Sequence, residues 1–168
     1  MSGLRIRDAT LADVAAVRAL LIETWHATYD GTLGAEKVRE ITDRWHAEAV
    51  LAAQVDEGNA AFLVAEREGK LVATASAALG CDRSIDLRRL YVHPSDQGRG
   101  VGKELFASCL ARFPACQSVR LEVEPRNAAA IAFYRRLGFI EKERGGACGG
   151  DEQAAIEHLV MERTLGGP

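Results

Sequence analysis

The chain has 168 residues, 48% of them hydrophobic and 27% charged, with a formal net charge of −3. That length fits a single domain, residues 1–168, with one sizeable core. The slight acidity gives no pull toward phosphate backbones, so no nucleic-acid partner is expected, and without an apolar run of about 18 residues no membrane span is expected either.

The opening MSGLRIRDAT carries no basic stretch leading into an apolar run, so a cytoplasmic location is expected. Cys81, Cys109, Cys116 and Cys148 match neither a zinc spacing nor a CxxC pair and read as free thiols. His26, His46, His93 and His158 form no ligand spacing, and no metal is implied.

Residues 4–7 alternate apolar and basic side chains and read as a first strand. Thr10 to Asp13 has capping-box chemistry, with Asp in place of the longer Glu or Gln. Val14, Val17, Leu21 and Trp25 then recur at helical spacing, and Tyr29 to Gly34 is expected to break that helix. A second helical stretch is predicted over 35–57 and ends at Gly58-Asn59. Strands over 61–66 and 70–79 flank Glu68-Gly69, a hairpin turn, and a third strand covers 84–92.

A helix over 100–112, a strand over 119–123, a helix over 127–137 and strands over 139–144 and 156–163 complete the chain. Between the last two lies the glycine-rich segment 145–151, which offers no bulky anchor and is expected to be mobile. The order implies an antiparallel meander followed by a right-handed strand–helix–strand crossover with parallel strands. Within 84–92, Ile85 and Leu87 share one parity and Leu90 and Val92 the other. A β-bulge near Arg88-Arg89 would write such a slip; so would a strand half-buried on both faces.

Gln97-Gly98-Arg99-Gly100-Val101-Gly102 follows a strand and opens an amphipathic helix. Glycines there let backbone N–H groups turn toward a ligand, and the helix start adds unpaired donors and partial positive charge. Arg99 adds a counter-charge. This is chemistry for a diphosphate. A P-loop would need Gly at 97 and Ser or Thr at 104, where the chain has Gln97 and Glu104. A dinucleotide fingerprint would need a third glycine where Lys103 stands.

Leu90-Tyr91-Val92-His93-Pro94 with Gln97 to Gly102 resembles the acetyl-CoA motif of the GNAT acetyltransferases, Q/R-x-x-G-x-G/A. Leu121-Glu122-Val123, then Asn127 to Tyr134, ending Leu137-Gly138-Phe139, is similar to that family's downstream motif, as found in ribosomal-protein alanine acetyltransferases. The resemblance covers residues 84–139. It implies an α/β (α+β) fold: a mixed, mostly antiparallel twisted sheet of about seven strands with helices on both faces. It also implies an acetyl-CoA-dependent N-acetyltransferase that needs no metal and works by direct attack in a ternary complex. Homodimers are frequent in such families, and no stretch of this sequence marks an interface.

The resemblance carries roles onto residues. Backbone groups of Leu90, Tyr91 and Val92 hold the pantetheine arm. Main-chain N–H groups of Gln97, Gly98, Arg99, Gly100, Val101 and Gly102 hold the pyrophosphate, and Asn127 bonds the cofactor arm. Tyr134 matches the residue that protonates the departing thiolate. On spacing alone, Tyr134 also fits a buried stripe with Ile131 and Leu137.

An amine nucleophile needs a base, the thiolate an acid, and the developing oxyanion a backbone donor. Glu122 matches the base of the alanine acetyltransferases, and Asp86 falls where histone-type members carry a glutamate. Pairing of either carboxylate with Arg88, Arg120 or Arg126 is the plainer reading.

For the acceptor, Trp25 and Tyr29 are four apart and share a helix face. Beside Glu23 and Asp30 they offer a site for a cationic amine; packing of both rings on the sheet is the plainer reading. A small-molecule primary amine is the expected acceptor. A protein N-terminus is the alternative, and a non-catalytic acyl-CoA sensor is the rival from another class.

Overall fold

The computed structural model describes residues 3–146 and 157–166. Its strands form one seven-stranded sheet in the order β1-β2-β3-β4-β5-β7-β6. They are β1 (Arg5–Asp8), β2 (Ala60–Arg67), β3 (Lys70–Leu79), β4 (Ser84–Val92), β5 (Ser118–Val123), β6 (Ile140–Gly146) and β7 (Glu157–Thr164). The helices are α1 (Val14–Leu33), α2 (Ala35–Trp45), α3 (Glu48–Val55), α4 (Val101–Leu110) and α5 (Ala128–Arg136). Strands β4 and β5, joined through α4, are parallel, and β1/β2, β2/β3, β5/β7 and β6/β7 are antiparallel. This is the mixed, mostly antiparallel sheet expected from the sequence. Among the described residues no helix is long and apolar enough to cross a membrane.

The chain divides into two compact units, Met1–Ala78 with Arg89–Arg112, and Leu79–Arg88 with Phe113–Pro168. The first is built on a core of Val14, Val17, Leu21, Leu51, Phe62 and Val64, so α1 and α3 bury one face against β2. At its entry Arg7 donates to both Asp13 oxygens, at 2.7 and 2.9 Å, and also to Glu66. Asp13 accepts the Thr10 N–H at 2.8 Å, so the short Asp does serve as a capping box. The Arg7 guanidinium, then the Thr10 donors, hold Asp13 well below the usual carboxylate range against the cost of its burial.

In the second unit β5 alternates buried Val119, Leu121 and Val123 with exposed Arg120 and Glu122. One face meets the core and the other keeps its polar side chains in solvent.

Three expectations are corrected. Helix α1 does not break at Tyr29; it runs through Gly31 to Leu33 and stops at Gly34, whose φ of 85° no other residue adopts cheaply. The second helical stretch is two helices, parted at His46-Ala47 without glycine or proline. In β4 the burial phase does not slip at Arg88-Arg89: Ile85, Leu87 and Arg89 are all buried, so an arginine takes the core-facing position that looked polar.

Alternation is lost only after Arg89, where Leu90, Tyr91 and Val92 are all half-buried. Backbone bonds run from Gly80 N–H to Ser84 O and from His93 N–H to Val72 O. From 80 to 72 is eight steps and from 84 to 93 is nine, so β4 carries one residue more than β3. Most of the glycine-rich segment 145–151, with Cys148, lies outside the described residues.

Asp13 leads to a prediction. Its lowered folded-state pKa contributes stability that is fully present above the unfolded value near 4 and is lost as pH falls. Asp13→Asn should cost about 2 kcal/mol at pH 7 by denaturant titration. The gap to the parent chain should close as pH drops below about 4. A gap that does not depend on pH would contradict the ion-pair account.

Candidate active site

The loop from β4 to α4 is built from the chain upward. His93 caps the 3₁₀ turn Pro94–Asp96 by accepting the Ser95 N–H on Nδ1. Its proton therefore sits on Nε2, which donates to Glu23 on α1 at 3.0 Å. Asp96, only 8% exposed, accepts the Ser95 hydroxyl at 3.0 Å and is ion-paired with Arg67 on β2. Gln97 turns its side chain back and donates to Val92 O at 3.0 Å. These contacts fix both ends of the turn that delivers the glycines.

Gly98 and Gly100 have φ of 74° and 83°, and a Cβ built on either meets nothing within 4 Å. The glycines are needed for backbone conformation, not for room, since the left-handed region penalises any other residue. Gly100 is the N-cap of α4 and supplies no side-chain acceptor. The first N–H groups of α4 therefore have neither a helical partner nor a capping side chain, and they add the positive end of the helix dipole. This arrangement fits a diphosphate. Beyond Leu87, where the parallel ladder of β4 with β5 ends, Arg88 to Val92 continue as extended strand.

Trp25 and Tyr29 lie 4.7 Å apart between ring centroids, on one face of α1 as expected. Both are buried, and Trp25 also meets Trp45, His46 and Tyr91 at 5.8, 5.6 and 6.3 Å. Glu23 and Asp30, the expected carboxylates beside them, are engaged by His93 and by His26 at 2.6 Å.

Next to this cluster stands Arg89, which sequence reasoning did not single out. It donates to Trp45 O at 3.1 Å, to Ser76 at 3.3 Å, to His46 Nδ1 at 3.4 Å and to Gln54. A buried guanidinium is tolerable only with such partners. Burial first, then the Arg89 charge, pushes the His46 imidazole down to about 3. His46 Nε2 and Trp25 Nε1 are buried with no hydrogen-bond partner.

In the second unit, Asn127 is the N-cap of α5 and accepts the Ala130 N–H at 3.1 Å. The preceding turn is clamped by Glu124, which accepts both the backbone N–H and the guanidinium of Arg126, at 2.7 and 2.6 Å. Tyr134 is buried, with ring contacts to Phe133 and Phe139 at 5.3 and 5.4 Å. Asp86 stands opposite Arg120 in the parallel ladder and lies so close over Gly80 that a Cβ there would sit 2.9 Å from its Oδ2. Arg120 pairs with Glu143 at 2.6 Å, and Arg126 with Glu124, so two of the arginines expected beside Glu122 and Asp86 are engaged elsewhere. Glu122 Oε1 lies 3.9 Å from His158 Nε2. Among the described residues no three His, Cys, Asp or Glu side chains are placed to hold a metal ion.

The chain matches the model of the acetyltransferase (GNAT) family over residues 17–139. It belongs to that family.

An uncharacterised N-acetyltransferase of Mycobacterium tuberculosis (strain ATCC 25618 / H37Rv) is 26% identical, over 77% of this chain and 84% of that one. Two shorter matches each span about half of both chains. The L-methionine sulfoximine/L-methionine sulfone acetyltransferase of Salmonella typhimurium is 35% identical over 46% of this chain and 48% of its own. An N-alpha-acetyltransferase of Arabidopsis thaliana is 34% identical over 48% and 45%. In fold, the chain is similar to the PaiA N-acetyltransferase of Thermoplasma acidophilum, solved in complex with coenzyme A, with a TM-score of 0.81, 20% identity and coverage of 97% and 99%. The chain is thus a GNAT acetyltransferase, and the matched residues include the glycine-bearing loop between β4 and α4.

His46 predicts a pH effect. The unfolded imidazole takes a proton below about 6.5, whereas the folded one stays neutral until about 3. Stability should therefore fall as pH drops through that window, by up to about 1.4 kcal/mol per pH unit. His46→Gln should flatten that slope in denaturant titrations between pH 6.5 and 4. An unchanged slope would show that His46 is protonated in the folded chain.

Proposed function

We propose that this acetyltransferase moves an acetyl group from acetyl-CoA to the primary amine of a small molecule, by direct attack in a ternary complex in the cytoplasm. The observation that carries the cofactor assignment is the start of α4: left-handed Gly98 and Gly100 ahead of uncapped amide donors. Acetyl-CoA supplies an acetyl thioester. Gln97 to Gly102 hold its diphosphate through main-chain N–H groups, the backbone of Leu90, Tyr91 and Val92 holds the arm, and Asn127 adds a side-chain bond.

Glu122 takes the proton of the acceptor ammonium, and the Tyr134 hydroxyl donates toward the sulfur. Asp86 is the second candidate for the base, and its exposed place opposite Arg120 supports a water-mediated role at most. For the acceptor, the aromatic group of Trp25, Tyr29 and Tyr91 supports a small amine, because it gathers α1 rings beside a residue assigned to the cofactor arm. The Salmonella relative, named for two methionine derivatives, points the same way. The run Asn127 to Tyr134 and the Arabidopsis relative favour a protein N-terminus as the second reading.

Free-thiol release should be followed with polyamines, amino acids, aminoglycosides and short peptides as acceptors. Turnover on small amines that exceeds turnover on peptides supports the proposal; the reverse order selects the N-terminal reading. Coenzyme A binding with no turnover on any acceptor would indicate a sensor.

Tyr134→Phe should bind acetyl-CoA as the parent does and lose about 100-fold in kcat. Glu122→Gln should lose a comparable factor at neutral pH and recover part of it as pH rises and free amine accumulates. Asp86→Asn should stay close to the parent. The opposite pattern, with Asp86→Asn impaired and Glu122→Gln active, would reassign the base.

A further inference from the structure

We infer that the indole N–H of Trp25 and the imidazole Nε2–H of His46 hold a carboxylate of the acceptor, which is therefore a free amino acid and not a simple amine. The inference rests on the reading of a small-molecule amine as the acceptor. Both residues lie in the first compact unit. Trp25 is one of the buried residues of α1, and His46 is the C-cap of α2, its backbone N–H held by Thr42 O at 3.0 Å. They are 6% and 3% exposed, and their rings meet at 5.6 Å with an interplanar angle of 62°. Trp25 Nε1 and His46 Nε2 are buried with no hydrogen-bond partner. Buried polar groups are almost always paired, and a ring face is a weak substitute for an oxygen. Two such orphans on touching rings make one unmet demand for a ligand.

The protonation of the imidazole decides what that ligand is. Arg89 Nε donates to His46 Nδ1 at 3.4 Å, so Nδ1 accepts and the ring proton sits on Nε2. Burial, then the Arg89 charge, keeps the ring neutral until about 3. Both orphans are therefore donors, and their complement is an acceptor. The guanidinium behind the imidazole polarises Nε2–H and favours an anion over a neutral oxygen. A carboxylate brings two oxygens, one for each donor. Tyr91, whose backbone is assigned to the acetyl-CoA arm, sets its ring 6.3 Å from Trp25 and 6.4 Å from His46. A carboxylate held at the donors thus places the rest of the acceptor beside the strand segment that carries the arm. Tyr91 is half-buried, as is Trp45, whose ring meets Trp25 edge-on at 5.8 Å. The inferred path to the donors runs past these two rings and needs one of them to turn.

Two measurements decide the inference. The chain has two tryptophans, so a ¹⁵N–¹H spectrum shows two indole signals, and the one lost in Trp25→Phe belongs to Trp25. With coenzyme A present, which has no acetyl group to transfer, the parent chain is titrated with L-alanine, L-phenylalanine and L-lysine. The Trp25 signal should move downfield with at least one of them and stay in place with the matched ethylamine, phenethylamine or cadaverine. A signal that no amino acid moves, as when buried water is the acceptor, overturns the inference; so does one that amine and amino acid move alike. In steady-state kinetics the best amino acid should exceed its decarboxylated partner and its carboxamide about 100-fold in kcat/KM. Trp25→Phe should raise the amino-acid KM about tenfold and leave the KM for acetyl-CoA within about twofold. His46→Asn, whose Oδ1 can still accept from Arg89, should do the same. Simple amines turned over as well as amino acids, or variants with the parent KM, overturn this inference alone and leave small-amine transfer standing. Turnover on peptides alone, or on no acceptor, removes the small-molecule reading and the inference together.

Discussion

The first turn of an α-helix presents backbone N–H groups that the helix itself cannot satisfy, and in this chain α4 begins without a side chain to satisfy them. Much of the loop before it follows from that constraint. Two glycines in the left-handed region swing the chain into the helix with no side chain over the donors. The arrangement is useful only if it is held still, and the holding is done by the Arg67–Asp96 ion pair and by the hydrogen bond between Glu23 and the His93 ring that caps the preceding turn. A site made of backbone depends on the side chains that fix the backbone, and here they come from β2 and α1.

A second theme is the placement of polar groups inside the first unit. Arg89 occupies a core-facing position of β4, one residue before Leu90 to Val92, and is matched by groups on α2, α3 and β3. Its desolvation cost is offset by those bonds and is passed in part to His46, which stays neutral far below its ordinary range. The bonds tie two helices to the strand just where its regular alternation of burial ends. Rigid support beneath an irregular strand segment is what an enzyme needs if backbone groups of that segment are to bind a cofactor arm.

Much of this was legible in the sequence. Residues 84–92 read as a strand with the observed limits, and Glu68-Gly69 read as a tight turn, where both residues indeed have positive φ. The left-handed glycines and the start of α4 within Gln97 to Gly102 were readable because glycine spacing and helix onset are local properties. Other features were not. Gly31 looked like a helix breaker, yet a single glycine costs a helix only about 1 kcal/mol and α1 absorbs it. The break at His46-Ala47 has no local signal at all. Arg89 looked solvent-facing because charge is a poor guide to burial when four partners wait in the core.

The central claim is that backbone amides at the start of α4 bind the diphosphate of acetyl-CoA. Backbone amide chemical shifts of Gly98 to Lys103, followed by NMR during parallel titrations with coenzyme A and with pantetheine, test it most directly. The account predicts large shifts of these amides with coenzyme A and little change with pantetheine, which has no diphosphate. Amides that stay in place while coenzyme A binds, or that respond equally to both, would contradict it.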